Sequence, residues 1–176
     1  MPTNPPAAPR PLALLPRIVL GGALVALASL SACGDDTTST PPAPTFQATL
    51  NAANERPNPI TSPGTGSATV VQNGTTFTYT VNYANLTGAP ILSHIHGPAD
   101  ASKAVGVLVN FNIGTPTSGT GSFTGTFTPA DIVPATGQPA ISMDSLVKLM
   151  QTGNAYVNVH TNANKGGEIR GQLTLK

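Results

Sequence analysis

The chain contains three histidines, and all of them lie in two short stretches. Ser93-His94-Ile95-His96-Gly97-Pro98 holds two, and Tyr156-Val157-Asn158-Val159-His160-Thr161 holds the third. Imidazole binds borderline metals through nitrogen and titrates near neutrality. On a strand, residues i and i+2 leave by one face, so His94 and His96 are neighbours, with Ile95 on the other side. In the second stretch Val157 and Val159 suit a core, which sends Tyr156, Asn158 and His160 to the opposite face. If the two strands lie close, His94, His96 and His160 make a set suited to one zinc or copper ion with an open fourth position. Asn158, Thr161 and Glu168 would then supply hydrogen bonds that fix the ring tautomers. The competing readings are a half-formed polar network and surface histidines whose N–H groups bond nearby carbonyls. Spacing alone does not bring the stretches together.

Glu168 and Arg170 flank Ile169 after Gly166-Gly167. They read as the end of a hairpin turn and an exposed cross-strand ion pair, with Glu55 as the candidate partner of Arg170, in preference to a ligand-binding pair. Such a pair contributes about 0–1 kcal/mol and sets register more than stability. No Ser/His/Asp order and no paired carboxylates point to catalysis. Asp100, Asp131 and Asp144 fall in loops or at a helix start and read as turn formers and caps. An open metal position is the one remaining route to activated water. No catalytic residue is assigned.

The elements that must position these residues are strands. Phe46, Ala48 and Leu50 alternate with Gln47 and Thr49, as a half-buried strand requires. The run Asn54-Glu55-Arg56-Pro57-Asn58-Pro59 ends it. Residues 66–72 and 75–83 read as strands joined at Asn73-Gly74, a strong hairpin signal, with Phe77, Tyr79, Val81 and Tyr83 on one face. Residues 91–96 form a strand ended by Gly97-Pro98. Val105, Val107, Val109 and Phe111 line the next, and 119–128 follows with Phe123 and Phe127 on one side. Residues 129–139 are a loop. Residues 142–152 carry the one helical pattern, with Leu146, Leu149 and Met150 on a face, Ser142 as N-cap and Gly153 as stop. Residues 155–160 and 168–175 are the last strands, with Ile169, Gly171, Leu173 and Leu175 on one face. About eight short strands and one short helix predict an all-β fold, an antiparallel Greek-key β-sandwich or barrel.

Upstream, Arg10 and Arg17 precede an apolar run over 18–32. That run is about 15 residues, shorter than the ~20 that span a bilayer, and it reads as a signal peptide over 1–32. Leu30-Ser31-Ala32-Cys33 resembles the bacterial lipobox, which makes Cys33 the expected lipidation site and the membrane anchor. The alternative is an ordinary signal peptide with a chance cysteine. Residues 33–44, small, polar and Pro-rich, read as a disordered tether, and 45–176 as the domain. Cys33 is the chain's single cysteine, so no disulfide staples the domain and the core alone must hold it. Without the leader, six Lys and Arg stand against seven Asp and Glu, a net charge of −1. That balance gives no electrostatic footprint for nucleic acid and no polybasic patch. The expected setting is the bacterial cell envelope, facing periplasm or exterior, with an envelope protein or a glycan as candidate partner.

The pattern resembles the CHRD domain, named for chordin. The residues that carry the resemblance are Phe46-Gln47-Ala48-Thr49-Leu50, Asn54-Glu55-Arg56-Pro57, Gly64-Thr65-Gly66-Ser67-Ala68 and Thr78-Tyr79-Thr80-Val81-Asn82-Tyr83 with Leu86-Thr87. They continue in His94-Ile95-His96-Gly97-Pro98-Ala99, in Tyr156-Val157-Asn158-Val159-His160-Thr161 and in Gly167-Glu168-Ile169-Arg170-Gly171-Gln172-Leu173. The resemblance spans 45–176. It implies an extracytoplasmic β-sandwich of undefined molecular function. A looser likeness to copper/zinc superoxide dismutase, another Greek-key sandwich with a His-x-His strand, stays at the level of fold. The three histidines are too few for that enzyme's two-metal site with a bridging imidazole, and its disulfide has no counterpart. The expected function is therefore a lipid-anchored binding module with a mononuclear site. The alternative is a structural or interaction domain without metal.

Overall fold

The computed structural model describes residues 41–134 and 137–176. The leader and Cys33 lie outside the described residues, as does the first part of the tether. The elements are β1 Thr45–Asn51, β2 Thr65–Asn73, β3 Thr76–Ala84, β4 Pro90–His96, β5 Val107–Asn110, β6 Gly121–Phe127, α1 Met143–Gln151, β7 Tyr156–Thr161, β8 Ile169–Gln172 and β9 Thr174–Leu175. Eight strands form one antiparallel sheet in the order β5-β4-β7-β8-β1-β2-β3-β6, and β9 extends β8 along β1. The sheet curls until its two ends nearly meet, giving a barrel that is not quite closed. The Tyr79 ring of β3 stacks on Phe111, just beyond β5, with centroids 3.9 Å apart. Its hydroxyl donates to the Asn112 carbonyl at 3.0 Å and accepts from the Asn112 amide at 2.8 Å.

Alternation explains most of the core. Phe77, Tyr79, Val81 and Tyr83 of β3 all point inward and are buried, as are Phe46, Ala48 and Leu50 of β1. Phe123 and Phe127 of β6 join them. Between these two lies Gly125, the register partner of Tyr79. A Cβ there would collide with the Tyr79 hydroxyl, so the missing side chain is what lets the ring lie across β6. Asn73 pairs with Thr76, which places the two-residue turn on Gly74-Thr75, one residue beyond the expected position. Gly74 takes φ +62°, a conformation that suits glycine.

Three expectations are corrected. The run Val105, Val107, Val109, Phe111 does not hold strict alternation. Ile95 pairs with Val109 and His96 with Val107, so Leu108 is the extra residue of a bulge and takes the buried place expected of Val107. Leu175 points outward, 52% exposed, at the end of the chain where β9 runs past the core. Around the histidines the outer face of β4, β7 and β8 is not a solvent face: every residue of β7 is buried, and on β4 Leu92 alone stays exposed. Segments that no pattern marked as lids fold over it. The helix follows its pattern, with Ser142 accepting from the Ser145 amide, and Leu146 and Met150 buried. Gly153 ends it at φ +69°. Asp100 accepts from the amide and hydroxyl of Ser102, and Asp131 from those of Thr128, as turn and cap residues do.

Candidate metal centre

β4 and β7 are adjacent and antiparallel. His94 faces Asn158, His96 faces Tyr156, and Leu92 faces His160 across the pair. Ile95 on one strand and Val157 and Val159 on the other are fully buried in the core. That fixes the faces, because a slip of one residue would turn the apolar set outward. His94 and His96 then share the outer face, and His160 lies on the diagonal from His94, within reach of a long ring. One ring nitrogen from each of the three lies within 4.8 Å of the other two. The imidazoles are 7%, 9% and 7% exposed for His94, His96 and His160.

Four of the six ring nitrogens have hydrogen-bond partners. His96 Nδ1 donates to the Val105 carbonyl at 2.9 Å. His160 Nδ1 donates to the Lys165 carbonyl, also at 2.9 Å. Each bond places the ring proton on Nδ1 and leaves Nε2 with a free lone pair. His94 Nδ1 stands 3.1 Å from His160 Nε2. His96 Nε2 is buried and has no hydrogen-bond partner. Ligand nitrogens at the Zn–N distance of ~2.0–2.1 Å around a tetrahedral ion stand about 3.3 Å apart. The donor set fits a metal: three neutral nitrogens, two of them with tautomers set by backbone carbonyls, and one buried lone pair without a donor.

Electrostatics keep these rings neutral. Burial, with the neighbouring His160 and His96, pushes His94 down to about 4. Burial is also the main cause for His96, at about 4, where the bond to Val105 opposes it and the His160 and Arg170 charges add to it. His160 is lowered by burial, against its bond to Lys165. A metal would thus meet deprotonated imidazoles well below neutral pH. The Tyr156 ring stacks on His96, centroids 4.8 Å apart and planes within 1°. The Arg170 guanidinium sits 3.4 Å from the centre of the same ring. β7 lies between β4 and β8, so the tyrosine separates the histidine from the cation.

The structure redistributes the other candidate residues. Arg170 is buried and donates to the Asp100 carbonyl at 3.2 Å and to Gln172 Oε1 at 3.1 Å. It forms no ion pair with Glu55. The ion pair among the described residues is Lys103–Asp100 at 4.0 Å. Glu55 is buried as well, and both its oxygens accept from Asn158 Nδ2, at 2.8 and 3.0 Å. Burial pushes its carboxyl up to about 7, against the Asn158 bond and the Arg170 and Arg56 charges. Glu168 and Thr161 do not serve the histidines. The Glu168 carboxylate accepts from Ser62 Oγ at 2.6 Å, the Thr87 amide at 2.7 Å, Thr87 Oγ1 at 2.7 Å and Thr161 Oγ1 at 2.6 Å. Burial opposes its charge, but these bonds prevail and hold it down to about 2. It ties the start of β8 to the end of β7 and to the loops carrying Ser62 and Thr87.

Sequence reasoning missed the carbonyls of Val105 and Lys165. A backbone oxygen carries no residue signature, and only the path of the loops brings these two to the rings. A surface depression of about 330 Å³ opens at Glu55, lined also by Arg56, Lys165 and Gly167. The family model for the CHRD domain matches residues 46–173, which include all three histidines, Asn158, Glu55, Glu168 and Arg170. No curated protein matches the chain.

Proposed function

This chain belongs to the CHRD domain family, and we propose that it is a lipid-anchored binding module of the bacterial cell envelope whose His94, His96 and His160 hold one copper or zinc ion. The observation that carries the reading is the buried His96 Nε2, a lone pair with no donor to satisfy it. Burying such a group without a partner costs about 1–3 kcal/mol, and an ion shared with His94 and His160 removes the deficit. The bound ion would be a Lewis acid with an open position, and the protein would supply neutral ligands and fixed tautomers. The anchor is read from Leu30-Ser31-Ala32-Cys33 behind the apolar run.

The test is metal content and affinity of the full-length protein, purified without a histidine tag, beside a variant with His94→Ala and His96→Ala. One tightly bound equivalent of copper or zinc, lost in the variant, supports the metal module. Absence of binding at micromolar copper and zinc, with both proteins equally folded, leaves a structural or interaction domain. In that case His94 Nδ1–H donates directly to His160 Nε2, and the search turns to envelope proteins and glycans.

A further inference from the structure

Two buried side-chain atoms lack a hydrogen-bond partner among the described residues, His96 Nε2 and Asn158 Oδ1. They belong to one neighbourhood. Asn158 is the register partner of His94 and lies two residues from His160 on the same strand face. The first orphan wants a proton or a cation, and the second wants a donor. Both needs are met by a metal ion that carries a water molecule. The amide orientation is fixed from behind, because Nδ2 is committed to both oxygens of Glu55. A turned amide would set Oδ1 against that carboxylate. Gly167, at φ +131°, packs directly against this amide: a Cβ there would lie 2.5 Å from Asn158 Nδ2, 2.8 Å from Asn158 Oδ1 and 2.6 Å from Glu55 Oε2.

Resting on the three-histidine reading above, we infer that Asn158 is a specificity-determining residue whose Oδ1 accepts a hydrogen bond from a neutral ligand, water, at the metal's fourth position. An amide oxygen is a poor direct ligand for copper or zinc beside three imidazoles, so it acts through the water. Its lone pairs favour ligands that bring an O–H or N–H and repel anions that bring none. Glu55 is then a positioning residue, holding the amide with its oxygen free.

The probe is copper(II) on the full-length protein, titrated with azide and followed by the azide-to-copper charge-transfer absorption. Two variants remove the free oxygen in different ways. Asn158→Ala deletes it. Asn158→Leu replaces the amide by an apolar group of nearly the same shape that carries no acceptor. In both variants azide should bind about tenfold more tightly than in the parent, as loss of one opposing polar contact implies, while copper remains bound. Unchanged azide affinity in either folded, copper-loaded variant overturns the inference, as does a parent copper form with no ligand that azide can displace. Equal copper binding by the parent and the His94→Ala, His96→Ala variant instead overturns the three-histidine site, and this inference falls with it.

Discussion

His94 Nδ1 and His160 Nε2 stand 3.1 Å apart across 66 residues of chain. Two rings at this distance either share one proton or share one ion. The third ring, His96, has neither at its buried Nε2. The site is one network of three rings, and each prediction about metal addresses all of them.

Replacing His160 by Ala removes one ligand of three and should weaken zinc or copper binding by at least about 100-fold, a loss beyond the 10–100-fold typical of supporting residues. Isothermal titration measures it. The same titration against pH should show affinity holding below the ordinary imidazole value of 6.5 and failing only towards the lowered value of about 4. Loss of affinity centred near 6.5 would show that the rings are as accessible to protons as free histidine.

The metal-free protein should lose stability as pH falls from about 6.5 to about 4, because the unfolded chain binds protons on His94 and His96 before the folded one does. Glu55 has the opposite sign. Its raised value means that the folded state holds the proton, so its contribution is present below 4.5 and lost as pH rises through about 7. Glu55→Gln should therefore gain stability relative to the parent as pH rises from 4.5 to 7. Denaturant midpoints across that range check both slopes.

Glu168→Gln replaces two fully accepting oxygens by one acceptor and one donor, opposite hydroxyls and an amide that all donate to it. The expected cost is about 2–4 kcal/mol, from charge-assisted bonds lost in a buried place. Metal affinity should change little, since Glu168 bonds none of the histidines. A large loss of metal binding in a folded variant would show that this carboxylate supports the site.

Gly125→Ala places a methyl group against the Tyr79 hydroxyl and should destabilise the fold by about 1–3 kcal/mol through overpacking. Combining it with Tyr79→Phe should recover part of the loss, because the hydroxyl oxygen is the nearest of the clashing atoms, ahead of the ring carbon Cζ. Thermal unfolding of the single and double variants measures this coupling. Strict additivity would rule out the contact as the cause.

Cys33→Ser should move the protein from the membrane fraction to the soluble one, since the acyl chains on that sulfur are the expected anchor. Fractionation of cells expressing both forms reads the outcome directly. Persistence in the membrane would assign anchoring to the apolar run over 18–32 instead.

The sequence alone was sufficient for the all-β class, the strands of the hairpin around Gly74, the capped helix and the grouping of His94 with His96. These are local matters: alternation with period two decides which side of a strand is inside, and a turn or a cap depends on a few adjacent residues. The choice of His160 as the third ring also followed from alternation, through Val157 and Val159. Tertiary structure alone decided that β4 and β7 are neighbours, since strand order depends on how the whole sheet buries its apolar face. It also decided that the outer face is roofed over. The sequence suggested an exposed Glu55–Arg170 pair, because charged residues alternating with core residues normally face water. Here the loops carrying Asp100, Val105 and Lys165 cover that face, and burial changes the chemistry. Arg170 goes to a carbonyl and a tyrosine ring, and Glu55 goes to Asn158. The three histidines are held neutral because water is excluded from them, a property of the folded roof that no spacing of residues encodes.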